Sequence, residues 1–528
     1  MALNRSDKEF RYPGVSYLDY KQVEMDRVLT GFLPRLWWGG SPSRLVRTGD
    51  LTVDDFTATM RGHAELFSGF DEDVTRRWTE THLLDIVNRG KPNQAVAGLR
   101  PLHGFTYRFR NARRSRPYGA DEQLYVMIQH ASEGRGQQTL QFLKDFFFAG
   151  VDPNTETPLA GTQIDVETQA LINLSEAVRR DITDLRAQEK ERRSYPPLYQ
   201  RASDLLVEDI IDLLFHKDLI PRSVMVEYLK VLFAFHLALY HLQIMKLLPA
   251  LVRGERPGPD GGFFLDVGGV PGTAAAGLAE RSAAVWYDRI PDFVRATFVV
   301  KKLDDFAQNL VRFNKLGKSA GGTFTIDDLV ALLGSPYREE RAQFAGARLN
   351  RIVDNSRTPD QELDSSIAQL LDLGLDPFTT YIEVITAFRV GFHHKYIREC
   401  LDSLLLKNRP GAMVAQPRRG ERRFVLDGRL LEVLLQITLL RQGGVQGLHT
   451  ESLRVDQFLA IVRKRYGLHI DRLPSGDDGF DRQSIADQRA LKENALAFRA
   501  RLREIGFFSD LSDAYLTQTI TPRYRVTG

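Results

Sequence analysis

The sequence predicts a mainly α protein, a multi-domain helical bundle with a small C-terminal winged-helix-like module and few short strands. Three observations predict it. Apolar residues recur at helical spacing along most of the chain. Several of these stretches open on a capping residue. Two segments alone, 105–110 and 422–428, read as strands. At 528 residues the chain is too long for one compact core, and ordinary domain sizes suggest roughly three.

The elements follow in order. Residues 1–155 read as a mostly helical domain with one short basic strand. Asp19 to Phe32 fits a helix that stops before Pro34, and Leu36-Trp37-Trp38-Gly39-Gly40 sets two of the four tryptophans beside a glycine turn. Thr52-Val53-Asp54-Asp55 reads as a helix start with Thr52 as cap. Asp71 to Arg89 reads as a further helix. Phe105, Tyr107 and Phe109 alternate with Thr106, Arg108 and Arg110, a period-two pattern that predicts a strand. Helices follow at Asp121 to His130 and Gln137 to Ala149.

Residues 160–253 predict a second helical unit, with helices over Asp165 to Arg193, Leu205 to Phe215 and Ser223 to Leu248. The last is apolar nearly all round, which predicts the centre of a bundle. The glycine- and proline-rich stretch 254–277 reads as a loop or linker. Residues 278–406 predict a third helical unit. Its helices include Pro291 to Phe313 and Arg338 to Asn355, and the longest runs from Phe378 to Leu406. In residues 407–528 a short strand at Arg422 to Gly428 precedes helices at Leu430 to Arg441, Leu453 to Tyr466 and Gln483 to Ile505. That succession predicts a winged-helix-like module.

Composition narrows the function classes. Hydrophobic residues make up 43% and charged residues 26%, the balance of a folded protein. A net charge of +3 demands no polyanionic partner. Sixteen of the 71 basic residues are lysine and 55 are arginine. That excess reflects either phosphate recognition, for which the guanidinium fork is suited, or the codon bias of a GC-rich genome. The single cysteine, Cys400, excludes an internal disulfide and predicts a reducing, cytoplasmic location. Val231 to Met245 is too short and carries too many polar groups to predict a membrane span.

Motifs for catalysis are lacking in the sequence. Gly317-Lys318-Ser319 ends like a phosphate loop, but Arg312 stands where its first glycine belongs. His236 and His241 are five residues apart, about 500° around a helix, and do not share a face. Glu208, Asp209 and Asp212 cluster on one helix, as do Asp304 and Asp305 beside Lys301 and Lys302, and both clusters read as solvated faces. No catalytic residue, metal ligand, cofactor or small-molecule ligand is therefore expected.

Basic patches carry the functional reading. Arg108, Arg110, Arg113, Arg114 and Arg116 lie in a stretch without acids, interleaved with aromatics. Arg418, Arg419, Arg422 and Arg423 form a second patch just before the winged-helix-like module. Arginines can neutralise phosphates while rings stack on bases. Trp37 and Trp38 are candidate interface residues, because aromatics anchor protein contacts.

Two segments, Arg423-Phe424-Val425-Leu426-Asp427-Gly428-Arg429-Leu430-Leu431-Glu432-Val433-Leu434-Leu435 and Phe458 to Gly467, resemble the helical accessory proteins of bacterial multi-gene anti-phage defence systems, including those tied to DNA methylation or phosphorothioation. The resemblance implies a cytoplasmic, non-enzymatic accessory or scaffold subunit of a defence or DNA-processing complex. Other protein subunits would be its partners, and DNA a candidate partner through the arginine patches. Two alternatives stand beside it, a cryptic metal-dependent nuclease or hydrolase and a purely structural helical scaffold.

Overall fold

The computed structural model describes residues 3–45, 51–86, 96–111, 114–162, 164–179, 194–255, 258, 260–317, 323–356, 365–418, 420–443, 447–474, 480, 484–509 and 519–526. The described residues form seventeen α-helices and a few short strands. In the first third these are α1 (Met25–Trp37), α2 (Val53–Gly62), α3 (Glu72–Trp78), α4 (Ala120–Gln129), α5 (Arg135–Phe147) and α6 (Val166–Ala177). The middle holds α7 (Gln200–Leu214), α8 (Arg222–Val252), α9 (Ala274–Tyr287), α10 (Ile290–Arg312), α11 (Ile326–Ala331), α12 (Arg338–Ser356), α13 (Ser365–Asp372) and α14 (Pro377–Leu405). The tail adds α15 (Gly428–Leu439), α16 (Val455–Tyr466) and α17 (Ile485–Glu504).

Helix α8 is the axis of the fold. Its apolar residues run around the whole circumference, so it can be covered only from all sides. Helices α1, α4, α7, α10, α14 and α15 all pack on it. It is long and apolar enough to cross a membrane, yet 89% of its most apolar window is buried inside the protein. The predicted cap, Ser223, lies inside the helix. Pro221 stands at the N-cap instead, with no side-chain hydrogen bond.

Capping physics holds at Thr52, whose hydroxyl accepts from Asp55 N while the Asp55 carboxylate accepts from Thr52 N. Helix α1 runs one turn past the predicted stop and includes Pro34. Contacts beyond the proline hold that turn. Arg35 donates to the Asp121 carboxylate at 2.7 Å and to the Gly40 carbonyl at 2.9 Å. Gly39 and Gly40 then turn the chain with φ of +58° and +100°. The predicted helix from Asp165 is capped by that residue and ends at Ala177; 180–193 lie outside the described residues.

The strand predicted over 105–110 is a 3-10 helix, Gly104–Phe109. His103 caps it by accepting from Phe105 N at 3.2 Å. Alternation of aromatic and polar residues implies one wet face, but this segment has none. It is packed on α1 and α6, and Thr106 and Arg108 are buried along with the three rings. The N-terminal strands are elsewhere, Leu84–Ile86 paired antiparallel with Val96–Leu99.

Part of the stretch 254–277 is built into the core. Phe263, Phe264 and Leu265 are fully buried, and Phe263–Phe264 pairs parallel with Leu468–His469 of the tail. The Trp286 ring stacks on Phe263 with centroids 4.4 Å apart, and its Nε1 donates to the Gly262 carbonyl. Gly467, at φ +71°, closes α16 with the Gly261 carbonyl against it. A Cβ there would come within 2.6 Å of that oxygen, so only glycine fits.

In the tail, α15 is followed by a hairpin (Leu440–Gly443 with Gly447–Thr450), then strand Leu453–Arg454, α16 and α17. Strands Phe508–Ser509 and Thr519–Ile520 come last. They form an antiparallel sheet with Leu453–Arg454, in which Thr519–Ile520 is the middle strand.

Candidate nucleic-acid interface

The two arginine patches are built into different parts of the fold. Arg108 is buried. Its guanidinium lies 3.8 Å over the Phe105 ring, donates to Ser175 Oγ at 3.1 Å and pairs with Glu156. Arg110 donates to the Ser43 carbonyl at 2.9 Å. Arg114 and Arg116 are exposed, and Arg113 lies outside the described residues.

In the second patch Arg423 is 3% exposed and donates to the Asp266 carboxylate at 3.1 Å and the Gly269 carbonyl at 2.9 Å. Arg422 donates to Asp402 at 2.6 Å and sits over the Tyr287 ring. Arg418 is exposed, and Arg419 lies outside the described residues. Arg108, Arg422 and Arg423 thus neutralise the protein's own carboxylates. Arg114, Arg116 and Arg418 remain at the surface.

Trp37 is taken up by the core. Its ring meets Phe105, Phe148 and Trp38, and its Nε1 donates to Glu156 at 3.1 Å. Trp38 is half-buried.

Helix α17 presents a face that the patch reading missed. At about 100° per residue, Ile485, Arg489, Lys492, Leu496, Arg499 and Arg503 fall within about 40° of one line. Ile485 and Leu496 are 88% and 60% exposed. The opposite side is anchored. Asn494 Nδ2 donates to the carbonyls of Leu265 and Ile470, while its Oδ1 accepts from Val267 N. Phe498 stacks on Phe458 of α16 with centroids 5.7 Å apart and planes 13° apart. On the outer face Arg489 makes an exposed pair with Glu493 at 2.9 Å. Exposed i,i+4 pairs are worth about 0.3–0.5 kcal/mol, so a phosphate can displace this one.

A buried polar cluster joins the tail to the helical body. Asp209 of α7 is fully buried. It accepts from His236 Nε2 at 2.7 Å and from Tyr466 Oη at 2.9 Å, and it pairs with Arg465. The acids read as a solvated face therefore hold the end of α16 instead. Burial pushes the neighbouring Asp212 carboxyl up to about 7, with Arg465 opposing.

A second histidine, His241, donates from Nδ1 to the Leu237 carbonyl, which leaves Nε2 to accept from Ser16 Oγ at 2.8 Å. Both residues are buried. Cys400 is buried as well, and burial pushes its thiol up to about 12. Among the described residues no group of three or more His, Cys, Asp or Glu side chains could hold a metal ion.

Next to the end of α16, two adjoining cavities of about 680 and 410 Å³ share Tyr199, Gln243, Gly258 and Asp260. Their cations are largely engaged. Arg201 pairs with Asp260, Arg253 with Glu255 and Arg463 with Asp471. The space is of ligand size.

Residues 5–524 match the family of the methylation-associated defense system protein MAD7. No curated protein matches the chain.

Proposed function

Because the chain belongs to the family of the methylation-associated defense system protein MAD7, we propose that it serves that system in the cytoplasm as a non-enzymatic subunit. Its helical body meets other protein components, and its tail engages DNA through α17. The observation that carries this reading is the outer face of α17, where four cations line up on a helix whose other side is locked to the core.

The tail supports it further. Leaving aside the hairpin 440–450 and the two-residue strand Leu468–His469, its succession of α15, strand Leu453–Arg454, α16, α17 and two final strands, with Thr519–Ile520 in the middle of the sheet, supports reading the tail as winged-helix-like. In that arrangement the third helix is the one offered to the major groove. Arginine and lysine there can contact phosphates and guanine edges. The non-enzymatic part of the reading rests on where the candidate chemical groups lie. Asp209, His236, Ser16, His241 and Cys400 are all buried in packing contacts.

The experiment is titration of the purified chain against a labelled short duplex of arbitrary sequence. The expected result is binding that weakens steeply between about 50 and 200 mM salt. Replacing Arg489, Lys492 and Arg499 by alanine is expected to lower affinity and flatten the salt slope by roughly one unit for each phosphate no longer neutralised. No binding at low salt, or an affinity untouched by the triple replacement, overturns the assignment to α17.

A further inference from the structure

Among the described residues α14 carries an exposed aromatic ridge. Tyr381, Val384 and Ile385 occupy one side of this helix and are buried, with α12 and α13 packed against it. The same side continues for two more turns, as Phe388, Gly391, Phe392, Lys395 and Tyr396; among the described residues the first four are exposed there and Tyr396 is half-buried. Phe388 and Phe392 are 40% and 43% exposed. The Phe392 and Tyr396 rings meet with centroids 4.5 Å apart and planes tilted by 53°, which fixes the ridge. Gly391 is exposed beside them, and a Cβ added there would meet nothing within 4 Å. A mid-helix glycine costs about 1 kcal/mol relative to alanine. Among the described residues nothing packs against it.

Three cations frame the ridge. Arg389 lies 4.1 Å over the Phe392 ring, and Lys21 and Lys395 lie 4.2 and 5.9 Å from the Tyr396 ring. Among the described residues none of the three is in an ion pair with a carboxylate. Glu399 is the single acid between Phe388 and Cys400.

We infer that this face of α14 is the seat of an acidic amphipathic helix from another protein of the same defence system. The inference rests on the subunit reading above and names the surface it uses. Helix-on-helix packing sets the ridge of one helix into the groove of another at 8–10 Å between axes. Here Phe388, Phe392 and Tyr396 form the ridge, and Gly391 opens the adjacent groove to a second backbone. Carboxylates flanking the incoming apolar stripe would meet Lys21, Arg389 and Lys395. A second copy of this chain fits poorly, because a two-fold contact would set these cations against one another. Single-stranded nucleic acid fits poorly too, because the chain's own cations already occupy faces of the Phe392 and Tyr396 rings that bases would need.

The test co-expresses the chain with each other protein of its defence system, with a photo-crosslinking benzoylphenylalanine in place of Phe392. The expected product is a crosslink to a helical segment of one such protein that carries aspartate or glutamate beside its apolar stripe. Phe388→Asp and Phe392→Ala are expected to weaken that complex on the order of tenfold or more. Gly391→Ala provides a variant that cannot fail by misfolding. It should leave the isolated chain at least as stable and still weaken the complex. Lys21→Glu with Lys395→Glu should weaken it as well, most visibly at low salt.

A crosslink to a second copy, a nuclease-sensitive crosslink, or a complex indifferent to all these changes overturns the inference while leaving the subunit reading intact. A wild-type chain that assembles with none of the system's proteins overturns both.

Discussion

Tyr466, the last residue of α16, donates a hydrogen bond across 2.9 Å to Asp209 in the middle of α7. With His236 and Arg465 on the same carboxylate, this bond fastens the C-terminal tail to the helical body through a fully buried Asp209. Removing one partner of a buried charged pair leaves the other uncompensated, at a cost of about 3–5 kcal/mol. Asp209→Ala is therefore expected to lower stability by about that amount, as read by chemical denaturation. Limited proteolysis should cut the variant faster between α14 and α16. Stability and cleavage like those of the wild type would show that the cluster does not hold the tail.

The arginine patches divide into two classes that a pair of variants separates. Arg423 is enclosed with Asp266, whereas Arg116 and Arg418 are exposed. Arg423→Met is expected to destabilise the fold by a few kcal/mol, because Asp266 is left buried and unpaired. Its folded fraction should bind DNA like the wild type. Arg116→Ala with Arg418→Ala is expected to change stability by less than about 0.5 kcal/mol, as surface replacements do. Any effect of that pair should appear in DNA affinity alone. Thermal melts alongside anisotropy titrations check both outcomes.

These contrasts show what the sequence could carry. Helices α10, α12 and α14 are legible almost to the residue, and α8 except for its last four residues and its cap, because helix periodicity is local. The segment 105–110 reads as a strand because alternation marks a strand only when one face is wet, and no local signal reports that Arg108 is enclosed. Its carboxylate partner Glu156 lies 48 residues away, and Asp266 lies 157 residues from Arg423. Pairing over such distances is invisible before the chain folds. The α17 face is present in the sequence, since residues 485, 489, 492, 496, 499 and 503 keep helical spacing. It escapes notice because those cations are spread along the chain, whereas a search for basic patches favours runs. The glycine-rich stretch 254–277 looks like a loop or linker because its buried run, residues 261–267, is short and begins with two glycines, so no local periodicity marks it.

Acid lability is expected from histidines that the fold keeps neutral. Burial holds His103 and His393 down to about 3 and His241 down to about 4. A folded-state value below the unfolded value of about 6.5 means that the unfolded chain binds more protons in between. Stability is complete above about pH 6.5 and falls as pH drops toward 4. His393 stacks on Phe10 at 4.0 Å, and its Nε2 has no hydrogen-bond partner. His393→Phe keeps the stack and removes the titration. The variant should lose less stability than the wild type between pH 7 and pH 5, measured by denaturant midpoints. An equal loss would place the acid sensitivity elsewhere.

Asp212 contributes the opposite slope. Burial raises its carboxyl to about 7, Glu208 and Asp209 add to the rise, and Arg465 opposes it. In the unfolded chain the same group titrates near 3.9. Between those values the folded state binds more protons, so the contribution of this group is whole below about pH 4 and lost as pH rises through 7. Asp212→Asn mimics the protonated side chain at every pH. The variant is expected to gain on the wild type as pH rises from 5 to 8, and the difference in melting temperature should level off above the folded-state value. Because Asp212 neighbours the carboxylate that holds Tyr466 and Arg465, ionising it also adds negative charge beside that junction. Tail cleavage in the wild type should change across the same pH range, and the asparagine variant should not show the change. A pH-independent difference between the two proteins would mean that Asp212 stays ionised in the folded chain.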